Sequence, residues 1–288
     1  MEDWLPDSRL DRVLGRREDA PWIAGLWARD DTTVLGVAED ARVGVDVVGH
    51  ALRGTRPTEP YDPQRHCLIG LIDERAWFAA PTPDPGACAS LREIAGFLDA
   101  TDLHLAMSAV ALVTWHREAP FCSRCGSPTQ MRAGGQQRWC PRCERLRFPR
   151  TDPAVIVAVV DADDRLLLAH QALWDPTRMS LLAGFVEAGE SLEQAVHREI
   201  AEESGVRLRA VGYVGSQPWP FPRSLMLGFV ARADASPIAV DGVEIDRARY
   251  FTRTELTDAI AVGEVSLPGP ASIAHRIIAA WRAGGLRI

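Results

Sequence analysis

Between Gly184 and Val206 the chain reads GFVEAGESLEQAVHREIAEESGV. In it Gly184, Glu190, Arg198, Glu199, Ile200, Glu202, Glu203, Gly205 and Val206 follow the spacing G-x5-E-x7-R-E-U-x-E-E-x-G-U, with U apolar. Ser191 followed three residues on by Gln194 is a capping box, so a helix is predicted to start there and run to about Ser204. Gly205 is placed to take the left-handed conformation that ends it. Leu192, Ala195, Val196 and Ile200 supply the apolar stripe. Glu199, Glu202 and Glu203 then stand at i, i+3 and i+4, neighbours on one helical face. Such a face is ordinarily just solvated. Here the fixed residues around it indicate a cradle for a hard divalent cation, Mg²⁺ or Mn²⁺, since clustered carboxylates repel one another unless a cation sits among them. Arg198 is placed to pair with a neighbouring carboxylate and orient it, and the glycines are read as permitting a tight loop before the helix and a clean stop after it.

At 288 residues, 47% apolar and 25% charged, the chain has a globular composition with room for more than one domain. No segment approaches the apolar length of a membrane span, and the start, MEDWLPDSRLDR, lacks the basic and apolar regions of a secretory signal, so a cytoplasmic protein is expected. A net charge of -7 argues against a broad nucleic-acid-binding surface.

Residues 1–120 carry no catalytic motif. Apolar or β-branched runs at 32–37, 43–48, 67–72 and 76–79 predict a small antiparallel sheet, followed by helices over 90–98 and 102–115. Cys67 and Cys88 are read as structural thiols, and His104 and His116 as packing or surface residues. Cys122, Cys125, Cys140 and Cys143 form C-x2-C-x14-C-x2-C, the spacing of a ribbon whose two knuckles give four thiolates to one structural Zn²⁺. Four protein sulfurs leave no open position for a substrate, so catalysis belongs to the carboxylate metal. Around these cysteines lie arginines 124, 132, 138, 142, 145, 147 and 150 against the single acid Glu144. They are either a solvated ribbon surface or a phosphate-attracting patch; spacing alone does not put them on one face, which favours the first.

From Asp152, the run AVIVAVV suits a central strand, Arg165–Ala169 a second, Val211–Val214 and Leu225–Arg232 two more, and Ala271–Ala283 a closing amphipathic helix. The predicted class is α+β, a mixed sheet sandwiched between helices. Between the later strands, SQPWPFPRSLM (216–226) interleaves three prolines with Trp219 and Phe221. It is read as a stiff loop, poor as strand or helix, that walls a flat ring and makes Gln217, Trp219 and Phe221 candidates for substrate contact.

The 184–206 spacing is the Nudix signature. With SQPWPFP-x-S after it and a four-cysteine ribbon before it, residues 110–288 resemble the NADH pyrophosphatase (NudC-type) family of Nudix hydrolases. The chain is accordingly read as an N-terminal α/β domain (1–120), a zinc ribbon (121–150) and a Nudix domain (151–288). The resemblance implies cleavage of the diphosphate of NADH or NAD⁺ to AMP and a nicotinamide mononucleotide, a homodimer with a composite active site, and removal of NAD caps from RNA 5′ ends as an alternative main activity. By matched position, Glu199, Glu202 and Glu203 would hold the metal with Glu244, Arg198 would belong to the catalytic constellation, and Gly184, Glu190 and Gly205 would shape it. Phe185 would stack on nicotinamide, while Ser224 and Ala274 would line the dinucleotide pocket. Phe148 stands where the family often has tyrosine, so stacking would survive there without a hydroxyl. A Nudix-fold nucleotide sensor is the alternative from another class, and the intact carboxylates of the box speak against it.

Overall fold

A computed structural model describes residues 8–46, 51–83, 85–234 and 237–286. The chain divides into two units, one running up to Arg150 and taking in Pro220–Arg223, the other holding Thr151–Trp219 and the residues from Ser224 onward.

In the first unit, Asp19 accepts the N–H of Trp22 and caps helix α1 (Ala20–Trp27), whose second residue is Pro21. The Asp-Ala-Pro start is the signal for this helix, which the apolar periodicity of so short a segment does not reveal. Strands β1 (Thr33–Val37), β2 (Val43–Asp46), β3 (Ala51–Leu52), β4 (Cys67–Ile72), β5 (Arg75–Pro81) and β6 (Cys88–Ala89) form one sheet in the order β3-β2-β1-β5-β4, with β6 on β2. The last two residues of the strand expected over 43–48 lie outside the described residues. The sheet is mixed, not antiparallel, because β1 and β5 run parallel. The Pro-rich segment ahead of β4 serves as the crossover that parallel neighbours require, and nothing in strand composition encodes direction. The helix expected over 90–98 shortens to α2 (Leu91–Ile94), while α3 (Ala100–Glu118), capped by Asp99, extends beyond its expected bounds. Leu103, Met107, Val110, Leu112 and Val113 are buried, and so are Leu105, Ala106 and Ala109, so α3 is a core helix without one wet face.

The ribbon strands β7 (Gln130–Arg132), β8 (Gln137–Cys140) and β9 (Arg145–Arg147) rest on that sheet. The Gln64 amide brackets Met131, donating to its carbonyl at 3.1 Å and accepting its N–H at 2.8 Å, and Gln136 donates to the Leu68 carbonyl at 2.9 Å. Gly135 permits the approach, since a Cβ there would lie 2.8 Å from the buried Cys67 sulfur. His116 is half-buried between the Gly135 carbonyl (2.7 Å) and Arg138 (3.0 Å), and desolvation of its ring lowers its pKa to about 4, which keeps it neutral.

The second unit is an α-β-α sandwich. Its sheet runs β13 (Leu208–Trp219), β14 (Ser224–Ala233), β10 (Asp152–Val160), β11 (Leu166–Gln171), β15 (Ile245–Phe251), with β12 (Leu182–Phe185) also on β10. β10 is parallel to β14 and antiparallel to β11 and β12. Alternate β10 residues face opposite layers, which explains its unbroken apolar run. Val155, Val157 and Val159 pack with Ala195, Val196 and Ile200 of α4 (Leu192–Ser204). Ile156, Ala158 and Val160 pack with Leu256 and Ala259 of α5 (Arg253–Ala261) and Ile273, Ile277 and Trp281 of α6 (Ile273–Arg282). Burying each such aliphatic side chain is worth about 1.5–3 kcal/mol, so the sheet and both helical layers hold each other.

The segment 216–226 corrects the sequence expectation. Ser216–Trp219 finish β13, pairing Gln217 with Met226 and Trp219 with Ser224, and only Pro220–Arg223 turn. Pro218 is tolerated because β13 is an edge strand and needs no N–H on its outer side. No described helix is long and apolar enough to cross a membrane.

Candidate active site

The capping box at Ser191 and Gln194 forms as the spacing predicts, and Gly205 closes α4 in the left-handed region at φ 69°. Between those ends Arg198 gathers the acids. Its guanidinium donates to both oxygens of Glu190 at 2.8 Å and to the Phe185 carbonyl at 2.9 Å, and lies 2.9 Å from Glu199 and 3.1 Å from Glu202. This pairing pulls the Glu190 carboxyl down to about 2. Glu190 also accepts the Glu187 N–H, so the loop ahead of the helix and the helix itself are tied through one ion pair.

Gly184 serves a purpose different from the expected tight loop. It lies within β12, opposite Val155, and a Cβ there would fall 1.9 Å from Cδ of Glu199. Only glycine leaves the strand surface open for that carboxylate to lie across it. Burial pushes the Glu199 carboxyl up, and Arg198 opposes the shift. Glu203 is more enclosed still, 7% exposed, with Oε2 buried and without any hydrogen-bond partner. Its pKa is pushed up to about 8, first by burial and then by the charges of Glu199, Glu244, Asp241 and Glu202. A buried carboxylate oxygen with no proton donor, in the field of further acids, has the chemistry a hard divalent cation takes, although no three of these carboxylates bring ligand oxygens within 4.8 Å of one another.

Asp241 is one of these acids that signature spacing does not mark. Its signal is the Asp-Gly pair, an Asx-turn former three residues before Glu244. Its carboxylate accepts N–H groups from Ile245, Val243 and Glu244, which hold it below the usual carboxylate range.

The strand register gathers several other candidates at one end of the sheet. Phe185 pairs with Ala154, Ala154 with Met226 and Met226 with Gln217, a single row across four strands; Asp152, Ser224 and Trp219 form another row. The Phe185 ring is 56% exposed, available for stacking, whereas Ser224 is buried. Gln217 is buried with both amide ends used: it donates to the Ala271 carbonyl at 2.6 Å and accepts the Ile273 N–H at 2.7 Å, fixing the start of α6 and with it the buried Ala274. Phe148 and Phe221 belong to the other unit. Phe148 is exposed, and the Arg92 guanidinium stands 4.9 Å from the Phe221 ring centroid.

In the ribbon, the ligand atoms of Cys122, Cys125, Cys140 and Cys143 all lie within 4.8 Å of one another, the only group of three or more potential ligands so placed among the described residues. The four thiols fit a tetrahedral Zn²⁺ and leave no substrate position. Of the nearby arginines, Arg138 does not reach the surface: it is buried and donates to Thr129, whereas the exposed Arg132 stacks on Trp139, with 5.0 Å between guanidinium carbon and ring centroid.

Residues 150–267 match the NUDIX domain model and residues 117–146 the NADH pyrophosphatase zinc ribbon domain model. Among curated proteins, NAD-capped RNA hydrolase NudC of Mycobacterium bovis is 47% identical over 211 residues, covering 70% of this chain and 67% of that protein. NAD-capped RNA hydrolase NUDT12 of Homo sapiens is 40% identical over 185 residues, covering 60% of this chain and 40% of that protein. Among solved structures, a NUDIX hydrolase from Nitrosomonas europaea matches with TM-score 0.44 at 22% identity, covering 57% of this chain and 90% of that one.

Proposed function

The chain belongs to the NADH pyrophosphatase (NudC-type) family of Nudix hydrolases, and we propose that it hydrolyses the diphosphate of NADH or NAD⁺ to AMP and a nicotinamide mononucleotide, using Mg²⁺ or Mn²⁺. The observation that carries this reading is Glu203, buried with an unpartnered oxygen in the field of further acids. Glu199, Glu202, Glu203 and Glu244 would hold the cation, which supplies charge neutralisation on the diphosphate oxygens and makes a water more acidic. Within the site Arg198 fixes the directions of Glu199 and Glu202, and the low dielectric around Glu203 suits it to hold a proton taken from the attacking water. The exposed Phe185 ring supplies a face for nicotinamide, and Gln217 positions the α6 start that bears Ala274. Trp219 and Ser224 border the same end of the sheet.

The names of the mycobacterial and human relatives support a second reading, in which the dinucleotide is the 5′ cap of an RNA. The same bond is broken in both. The proposal extends to a homodimer and a cytoplasmic setting, the latter suited to six cysteines of which none is paired in a disulfide. A structural Zn²⁺ in the ribbon completes the cofactors.

Glu203→Gln tests the assignment. It keeps size and burial but removes the charge, and is expected to lower kcat by at least about 10³-fold, the scale of a lost general base together with a lost metal ligand, with an unchanged circular dichroism spectrum. Wild-type turnover in that variant would sink the reading.

A further inference from the structure

Glu244 lies outside the signature helix, on an exposed turn just ahead of β15, but the next residue, Ile245, is buried in one core cluster with Val196 and Ile200 of α4, which brings the turn to the helix that carries the acids. A flexible turn there would let its charge swing into solvent, so something must fix it. Asp241 accepts the N–H of Ile245 at 2.9 Å and of Val243 at 3.1 Å through Oδ1, and that of Glu244 itself at 3.3 Å through Oδ2. Gly242, at φ 69°, donates its N–H to the Ile245 carbonyl at 3.0 Å and closes the turn from within. On the other side, the Glu244 carbonyl accepts the Ala172 N–H at 3.0 Å. The backbone of Glu244 is thus bracketed, by Asp241 at its nitrogen and by the chain after β11 at its oxygen.

We propose that Asp241 is a positioning residue for the catalytic metal: its carboxylate folds the 241–245 turn so that the Glu244 side chain is delivered to the acids of α4. The inference rests on the metal-site reading given above and adds a residue to it. Asp241 works through the turn. The feature that matters is the reach of its two carboxylate oxygens to the consecutive N–H groups of residues 243–245. Asparagine keeps the Oδ1 acceptor that makes the two shorter bonds, whereas alanine keeps none.

The test titrates full-length protein with Mn²⁺ alone, reading free Mn²⁺ by electron paramagnetic resonance, for wild type, Asp241→Ala, Asp241→Asn, Glu244→Ala and the Asp241→Ala/Glu244→Ala double variant. Amide exchange over 243–245 reports the turn, and NADH turnover is measured in parallel. Asp241→Ala is expected to weaken Mn²⁺ binding roughly tenfold or more, the scale of lost outer-shell support. Asp241→Asn should recover most of that loss, and the double variant should bind no more weakly than Glu244→Ala, since the two residues act as one. The substrate KM is expected to stay near wild type while kcat and the metal midpoint move. Unchanged Mn²⁺ affinity in Asp241→Ala, additive losses in the double variant, or Asp241→Asn as poor as Asp241→Ala would each overturn the proposal. If the wild type binds Mn²⁺ but leaves NADH intact, the functional reading fails and the affinity comparison still decides the role of Asp241.

Discussion

Glu203 carries the largest conflict between stability and function. A carboxyl buried to 7% exposure, with one oxygen lacking any donor, is a costly group to keep in a fold. Its pKa rises from 4.5 to about 8, so the folded state binds this proton more tightly than the unfolded chain does. The contribution to stability is therefore complete below about pH 4.5 and is lost as pH rises through about 8. For the metal-stripped protein, the thermal midpoint is expected to fall across that window, and Glu203→Gln is expected to abolish this part of the fall and to melt higher than wild type at the alkaline end. Adding Mn²⁺ should stabilise wild type more at the alkaline end than at the acidic end, because the cation replaces the proton. Superimposable wild-type and Glu203→Gln midpoints over the whole window would contradict this account of the site. The acids themselves were legible as i, i+3, i+4 neighbours. Their unequal burial was not, because it depends on which helix face meets the sheet.

At the scale of elements, the signature helix was readable nearly to the residue, since both of its ends are set by local chemistry: Ser191 with Gln194 at one and Gly205 at the other. Gly184 was readable as obligatory but not for the right reason. The sequence points to a turn, whereas the structure puts this glycine in a strand with the Glu199 carboxylate against it, a contact made across fifteen residues that no local pattern encodes. Gly184→Ala separates the two accounts. A tight-turn role predicts loss of stability; the close-approach role predicts that the flexible Glu199 side chain swings aside, leaving stability near wild type while kcat falls by about 10²-fold, the scale of a misplaced catalytic group. A Gly184→Ala protein with wild-type kcat would remove Glu199 from the site. Residues 216–219 are not legible as a strand for a related reason: prolines argue against a strand, except at an edge, and edge position is a property of the assembled sheet.

Across the whole molecule, composition and the two motifs indicated a globular Nudix hydrolase with a zinc ribbon, and the α-β-α layers followed from the apolar run of β10. Composition could not reveal the parallel pairing of β1 with β5, nor that the ribbon is hydrogen-bonded to the turn ahead of β4 through Gln64 and to β4 itself through Gln136. Both are long-range facts about where strands return. The ribbon's arginine excess illustrates the same limit, since Arg138 turns inward to Thr129 and His116 while its neighbours stay outside. The central claim, hydrolysis of the dinucleotide diphosphate with nicotinamide recognised by the sheet end that carries Phe185, is most directly tested by product analysis. Purified protein with Mg²⁺ or Mn²⁺ is incubated separately with NADH, NAD⁺, ADP-ribose and an NAD-capped RNA, with Glu203→Gln as the control. AMP and reduced nicotinamide mononucleotide are expected from NADH, with slower cleavage of ADP-ribose and no products from the variant. Cleavage of ADP-ribose as fast as NADH, or NADH left intact, would contradict it.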